Sequence, residues 1–134
     1  MKTLVLIVMM AVVSSAFAVT LPIKSGTLQA RSDGNNVTIQ WGTTDESSVK
    51  EFGIERRPVS GSDFTLVATV APKGSNSYYE FVDQTAFKTT GTVYQYRIRI
   101  VDTKLGVSYS DPVSVSHNVS SVKRTWGSLK AMFR

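Results

Sequence analysis

Ten carboxylates and a single histidine are the residues of this 134-residue chain best suited to moving a proton. Asp45 and Glu46 are adjacent in a polar stretch, Glu51 and Glu55 share one face of an extended segment, and Asp83, Asp102 and Asp111 stand near the ends of others. Two carboxylates about 5–10 Å apart are what glycoside hydrolysis uses, so such a pair is the enzymatic reading to test. His117 stands alone, which leaves no zinc site built on several histidines and no serine–histidine relay to assemble from sequence. The serines are read as lacking any plausible base. The chain has no cysteine, which removes thiol chemistry and thiolate metal sites. A domain this small, with no cleft evident from the sequence, is expected to be non-enzymatic, with no cofactor and no metal.

Arg56, Arg57, Arg97 and Arg99 look like a basic patch at first sight. The two segments are expected to be neighbouring strands, with Arg97 and Arg99 facing out beside Glu51, Glu55 and Arg57. Opposite charges facing each other across strands contribute about 0.2–1 kcal/mol each. The reading is therefore a solvated charge ladder and not an anion site.

The elements that position these groups are strands. Val93 to Asp102 organises the chain: Tyr94, Tyr96, Ile98 and Ile100 alternate with Gln95, Arg97 and Arg99. Successive strand side chains point to opposite faces, so one face is buried and the other wetted. Ahead of it, Thr27–Ala30 reads as a short strand and Asp33-Gly34-Asn35 as a turn. Val37, Ile39 and Trp41 define a second strand, and Gly42–Ser48 a loop. Phe52 and Ile54 mark a third strand stopped by Pro58, Phe64–Val70 a fourth, and Tyr79 and Phe81 a fifth. Lys104-Leu105-Gly106 is a tight return. Val107, Tyr109, Val113 and Val115 make the last strand, with Pro112 marking an edge or a break in its ladder. Short strands at roughly ten-residue spacing, with no helical period before Ser120, predict an all-β, seven-stranded Greek-key sandwich.

The N-terminus lies outside this pattern. Met1-Lys2, an apolar run from Thr3 to Val13, and Ala16 and Ala18 at the positions a signal peptidase reads predict a secretory leader cleaved after Ala18. The run is shorter than the roughly 20 residues a membrane span needs. The expected organisation is a leader over 1–18, a linker over 19–25, one domain over 26–119 and a basic tail over 120–134. The formal charge is +5. All ten acidic residues fall between Val19 and Val119, alongside ten of the fifteen Lys and Arg, so this body is neutral. The excess in the mature chain comes from Lys123, Arg124, Lys130 and Arg134, which is poor support for a nucleic-acid-binding domain.

Trp41, the run Phe52-Gly53-Ile54-Glu55-Arg56-Arg57, the run Tyr94-x-Tyr96-Arg97-Ile98-Arg99 and the closing Tyr109-Ser110-Asp111-Pro112-Val113 together resemble a fibronectin type III domain of the bacterial, exported, single-domain kind. The resemblance covers about Ser25 to Ser116. It implies an immunoglobulin-like sandwich with Trp41, Ile54, Tyr94, Tyr96 and Ile98 in its core. It also implies a hydroxyl of Tyr94 bonded back to a nearby backbone group, a stabilising role and not a catalytic one.

The tail breaks the strand period. Val122, Trp126, Leu129 and Phe133 fall on one stripe of a helix, flanked by Lys123, Lys130 and Arg134, with Arg124 further round and Gly127 weakening the helix by about 1 kcal/mol. Three readings stand for it: docking on the domain's own surface or fraying, contact with a membrane surface, and a sorting or anchoring signal. It resembles short C-terminal tails of exported bacterial proteins, and neither the Leu-Pro-x-Thr-Gly motif nor a PEP-type tail. Asn36-Val37-Thr38 and Asn118-Val119-Ser120 match the glycosylation acceptor pattern, which is discounted for a bacterial domain, and no Arg-Gly-Asp tripeptide is present.

The function expected is an exported, non-enzymatic binding or structural module of the cell surface or periplasm, with a protein partner. The alternative is a carbohydrate-binding accessory or hydrolase-associated module. For that reading Trp41 should be buried and Trp126 is in the tail, leaving Tyr78, Tyr79, Phe87 and Tyr109 as a thin platform. Nucleic-acid binding is not expected, since only the tail's cations with Trp126 would support it. Sequence leaves the oligomeric state open.

Overall fold

The computed structural model describes residues 20–61, 63–86 and 93–117. The leader, Phe87, Thr89–Thr92, the second glycosylation pattern and the whole tail, with Lys123, Arg124, Trp126, Leu129, Lys130, Phe133 and Arg134, lie outside the described residues. Among the described residues there are eight strands: β1 (Gln29–Ser32), β2 (Val37–Gly42), β3 (Val49–Pro58), β4 (Thr65–Val70), β5 (Tyr78–Asp83), β6 (Val93–Asp102), β7 (Val107–Tyr109) and β8 (Val113–Ser116). They form two antiparallel sheets. One runs β1-β2-β5; the other runs β4-β3-β6, with β7 and β8 both on the far side of β6. The chain is an all-β sandwich of the fibronectin type III-like kind.

Alternation builds the core. Val37, Ile39 and Trp41 of β2, Phe52 and Ile54 of β3, and Tyr94, Tyr96 and Ile98 of β6 are all fully buried. Trp41 stacks on Tyr79 with ring centroids 4.9 Å apart and planes 2° from parallel, and Phe52 meets both rings edge-on at 6.2 and 5.2 Å. Aromatic pairs of this geometry add about 0.5–1.5 kcal/mol to their burial. Tyr79 is therefore core, which removes it from the candidate platform.

Three local departures from the expected pattern have visible causes. The first strand begins at Gln29 and not Thr27, because Thr27 bonds through its side chain: Oγ1 donates to the Lys24 carbonyl at 2.6 Å and accepts from the Gly42 N–H at 3.0 Å. β4 carries a bulge that places one extra residue, Val67, between those paired with Ile54 and Glu55. The last strand is two strands. β7 pairs with the end of β6 and β8 with its start, separated by Ser110-Asp111-Pro112.

At that break Ser110 mends the ladder. Its N–H donates to the Ile98 carbonyl at 2.9 Å, and its hydroxyl accepts from the Ile98 N–H at 2.8 Å, replacing a backbone acceptor. Both residues are buried. Ser110→Ala would orphan the Ile98 N–H, and leaving a buried donor unsatisfied costs about 1–3 kcal/mol. The expected result is a lowered melting temperature with an unchanged far-ultraviolet spectrum, read by circular dichroism. An unshifted melt would show that the hydroxyl is not the acceptor that matters.

Candidate functional site

Asp45 and Glu46, the adjacent carboxylates that sequence offered, meet different surroundings. Asp45 is exposed and caps its own turn, accepting from the Ser47 N–H at 2.8 Å, and this bond first, then the Ser47 side chain, holds its pKa below the ordinary value. Glu46 turns the other way and is buried. It accepts from the Tyr79 hydroxyl at 2.5 Å, the Thr43 hydroxyl at 2.5 Å and the Gly74 N–H at 3.3 Å, tying two loops to the core. Burial, then the bond to Glu46, pushes the Tyr79 phenol up to about 12. Asp33 and Asp102 cap turns in the same manner as Asp45. Among the described residues no three His, Asp or Glu side chains come together as a metal site.

The four arginines also part company. Phe52, Ile54 and Arg56 share the inner phase of β3, so Arg56 enters the sandwich and pairs with Asp83 on the opposite sheet. Asp83 has no exposed surface. It also accepts from the Tyr96 hydroxyl at 2.7 Å, the Thr85 hydroxyl at 2.7 Å and the Thr85 N–H at 2.9 Å. Burial alone would raise the Asp83 pKa, but the bonds from Thr85, Tyr96 and Arg56 together outweigh it and hold the carboxyl below its ordinary value. The same environment drives the Tyr96 phenol well above its usual range, by burial first and then by the carboxylate it bonds. Tyr94 lies beside this cluster, its hydroxyl 3.5 Å from the Ala86 carbonyl, with the Arg56 guanidinium 5.9 Å above its ring.

Arg57, Arg97 and Arg99 share the outer phase. Arg97 faces Glu55 across the strands and bonds it at 2.7 Å, so Glu55 is buried and not solvated. The Arg97 guanidinium lies 4.0 Å from the Phe64 ring and 3.8 Å from the Tyr109 ring, reached from β4's side of the sheet and from β7's. Arg57 bonds Gln95 at 2.9 Å and stacks on Phe64 at 4.4 Å. The Arg99 stem and Leu66 close over Gly53, where a Cβ would lie 2.9 Å from Leu66 Cδ1. The outer face of the five-stranded sheet is thus a ridge of Phe64, Arg97 and Tyr109, flanked by exposed Leu66 and Val107. Glu55 and Arg97 pair across the strands as the ladder reading expects, but Glu55 is buried and not solvated, and Arg56 faces inward, apart from that ladder. The aromatic partners of Arg97 were missed, although Phe64 and Tyr109 both stand at strand ends next to apolar runs.

Two further places bear on chemistry. Ser32 does have a base: its hydroxyl lies 2.5 Å from His117 Nδ1 and accepts from the Gly34 N–H at 3.1 Å. The pair joins β1 to the end of β8, across the two sheets. His117 is buried, and its Nε2 has no partner among the described residues, so nothing there orients the ring as a triad carboxylate would. An apolar cleft of about 310 Å³ lies between Leu21, Ile23 and Leu28 on one side and Pro112 and Val113 on the other. Asp111 and Lys24 edge it without converging on a point.

Comparison with known proteins places the fold. No family model and no curated protein sequence matches the chain. A human fibronectin type III domain, the fourth of its protein, is similar with a TM-score of 0.52 at 14% identity, over 81% of this chain and 94% of that one. Pectate lyase PelI from Erwinia chrysanthemi, solved with tetragalacturonic acid, gives a TM-score of 0.52 at 22% identity over 66% of this chain. A family 76 glycoside hydrolase from a bovine Bacteroides thetaiotaomicron strain gives 0.53 at 16% identity over 72%. The chain spans only 27% of the first enzyme and 20% of the second. What is shared at these identities is the fold.

The Asp83 cluster supplies a test. A carboxylate whose folded pKa is depressed adds stability above its unfolded value, near 3.9, and that stability fades as pH falls through the folded value. Stability is therefore expected to fall on acidification below about pH 4, with Asp83 contributing part of the slope. Asp83→Asn leaves the Arg56 charge without its partner and is expected to cost about 3–5 kcal/mol at neutral pH, with a flatter acid limb. Urea melts of both proteins across pH read both effects.

Proposed function

We propose that the chain is an exported, non-enzymatic fibronectin type III module that binds a protein partner at the cell surface or in the periplasm. Its working surface is the outer face of the five-stranded sheet. One observation carries this reading. The ridge of Phe64, Arg97 and Tyr109 stands on the outer face with Tyr109, Leu66 and Val107 each more than 40% exposed. Tyrosine and arginine are enriched among the residues that carry binding energy at protein interfaces, because each covers a large area and keeps a polar end. The pairing of Arg97 with Glu55 lets the centre of that ridge be covered with its own charge compensated. In this reading the leader over 1–18 directs export, and the basic tail over 120–134 sorts, anchors or joins the module to its assembly.

A second reading is a carbohydrate-binding accessory. It is favoured by the two enzymes above, in which a similar sandwich forms a minor part of a pectate lyase and of a glycoside hydrolase. Tyr78, 57% exposed on the outer face of the other sheet, and Tyr109 are the described rings open to a sugar. They lie on different sheets, so no row of coplanar rings joins them.

Secretion from the producing cell, followed by fractionation and intact-mass measurement, tests the address: a mass starting at Val19 is expected. For the surface, Tyr109→Ser and Leu66→Ser are both expected to weaken retention of a cross-linked envelope protein about tenfold or more, a loss of about 1.4 kcal/mol. No change in either variant would move the working surface elsewhere. Retention of the wild type on insoluble glycan, lost in Tyr78→Ser, would replace the protein reading with the carbohydrate one.

A further inference from the structure

β1 and β8 are neighbouring edges of the two sheets, and they run the same way along a common seam. Leu28, just ahead of β1, and Val113, the first residue of β8, line the apolar cleft of about 310 Å³. Ser32 and His117, at the other ends of the two strands, are joined by their hydrogen bond. The cleft therefore opens at one end of the seam, and the chain leaves the sandwich at the other. Leu21, Ile23, Leu28 and Val113 are only partly buried against the core, so the cleft is a gap in the cover of that core. Its charged groups, Asp111 and Lys24, stand exposed on opposite lips. Ser110, the buried polar side chain of its lining, is already bonded to the Ile98 N–H and the Asp111 carbonyl. Nothing there converges to orient a polar small molecule. What suits such a cleft is an apolar side chain.

Residues 118–134 have the composition and the reach to supply it. β8 separates the cleft from His117 by about 13 Å, at roughly 3.3 Å per strand residue. Asn118-Val119-Ser120-Ser121 is long enough to reverse the chain, and Val122 to Phe133, wound as the helix their spacing describes, covers about 18 Å. A helix returning along the seam carries Leu129 and Phe133, which share one stripe, over the cleft. The stripe needs such a surface, because so short a helix, weakened by Gly127, is marginal in water until it packs. Charge agrees at both ends of the seam. Exposed Asp33 follows Ser32 beside His117, and exposed Asp111 edges the cleft. Lys123 stands at the start of the helix, and Lys130 and Arg134 stand about 10–17 Å further along it. The placement that brings the stripe over the cleft thus brings a cation to each carboxylate.

We propose that residues 122–133 dock on their own domain along the β1–β8 seam, with Leu129 and Phe133 in the cleft and Lys130 and Arg134 beside Asp111. The cleft then competes with any other surface that the tail sorts to or joins, because one apolar stripe cannot face both.

The test is methyl NMR of the unmodified protein with residues 118–134 in place. Nuclear Overhauser contacts are expected from the Phe133 ring to the methyl groups of Ile23, Leu28 or Val113, at a relative intensity that dilution does not change. Contacts from Phe133 to Leu66 or Val107 on the outer ridge, contacts found only between differently labelled copies, or no contact from the tail to the domain would each overturn the proposal. Trypsin supplies a second reading, since Lys123, Arg124 and Lys130 are its sites and cutting follows the open population. Leu129→Ser with Phe133→Ser, which leaves the sandwich untouched, is expected to speed cutting at these sites about tenfold or more. Asp111→Lys, at an exposed position, is expected to speed it about threefold. A tail pair cut at the wild-type rate would contradict docking, and Asp111→Lys cut at the wild-type rate would move the tail's seat away from this cleft.

Discussion

Asp83 ends β5 with no exposed surface, yet it is bonded from three directions: from Arg56 on β3, from Tyr96 on β6, and from Thr85 just beyond its own strand. The apolar core between the two sheets is non-directional and would be nearly as well satisfied if one sheet slid against the other. A charged group bonded across the gap is directional and tolerates no such sliding. Desolvating the pair costs several kcal/mol per ion, which the added bonds must offset, so the cluster is a poor source of net stability and a strong constraint on geometry. Small domains in oxidising surroundings commonly solve the same problem with a disulfide. This chain has no cysteine, and the ion pair takes that position.

A second buried carboxylate serves the opposite end of the sandwich. Glu46 gathers Thr43, Gly74 and Tyr79, so the loops after β2 and before β5 are fastened to the Trp41–Tyr79–Phe52 aromatic cluster. With both ends fixed from inside, the outer face is left to its own cross-strand contacts. Arg97 is the centre of those contacts: it satisfies Glu55 with its nitrogens and stacks between two rings. Neutralised and apolar on both flanks, it resembles the centre of an interface more than an open charge.

Much of this was legible in the residues. Strict alternation in β6, the phase of Val37, Ile39 and Trp41, and Pro112 as a break each translate directly into what the strands do, because a period of two is local. Arg56 was also legible in principle: it continues the inward phase of Phe52 and Ile54, and an arginine in phase with core residues at a strand end needs a buried acid. Grouping it with Arg57 by type hid that. Other features had no local signal. Ser32 and His117 are 85 positions apart, and only the closure of β1 on β8 brings them together. Glu46 sits in a polar stretch indistinguishable from a solvated loop until Tyr79 is placed above it. The bulge at Val67 follows from the registry of β4 on β3, which no single strand encodes.

The division of the last strand also sets how the fold bears load. The chain beyond His117 is joined to the sandwich through β8, which meets β6 over four residue pairs. A pull applied there reaches the Ser32–His117 bond and that short ladder first, while β7, across the Pro112 break, takes little of it.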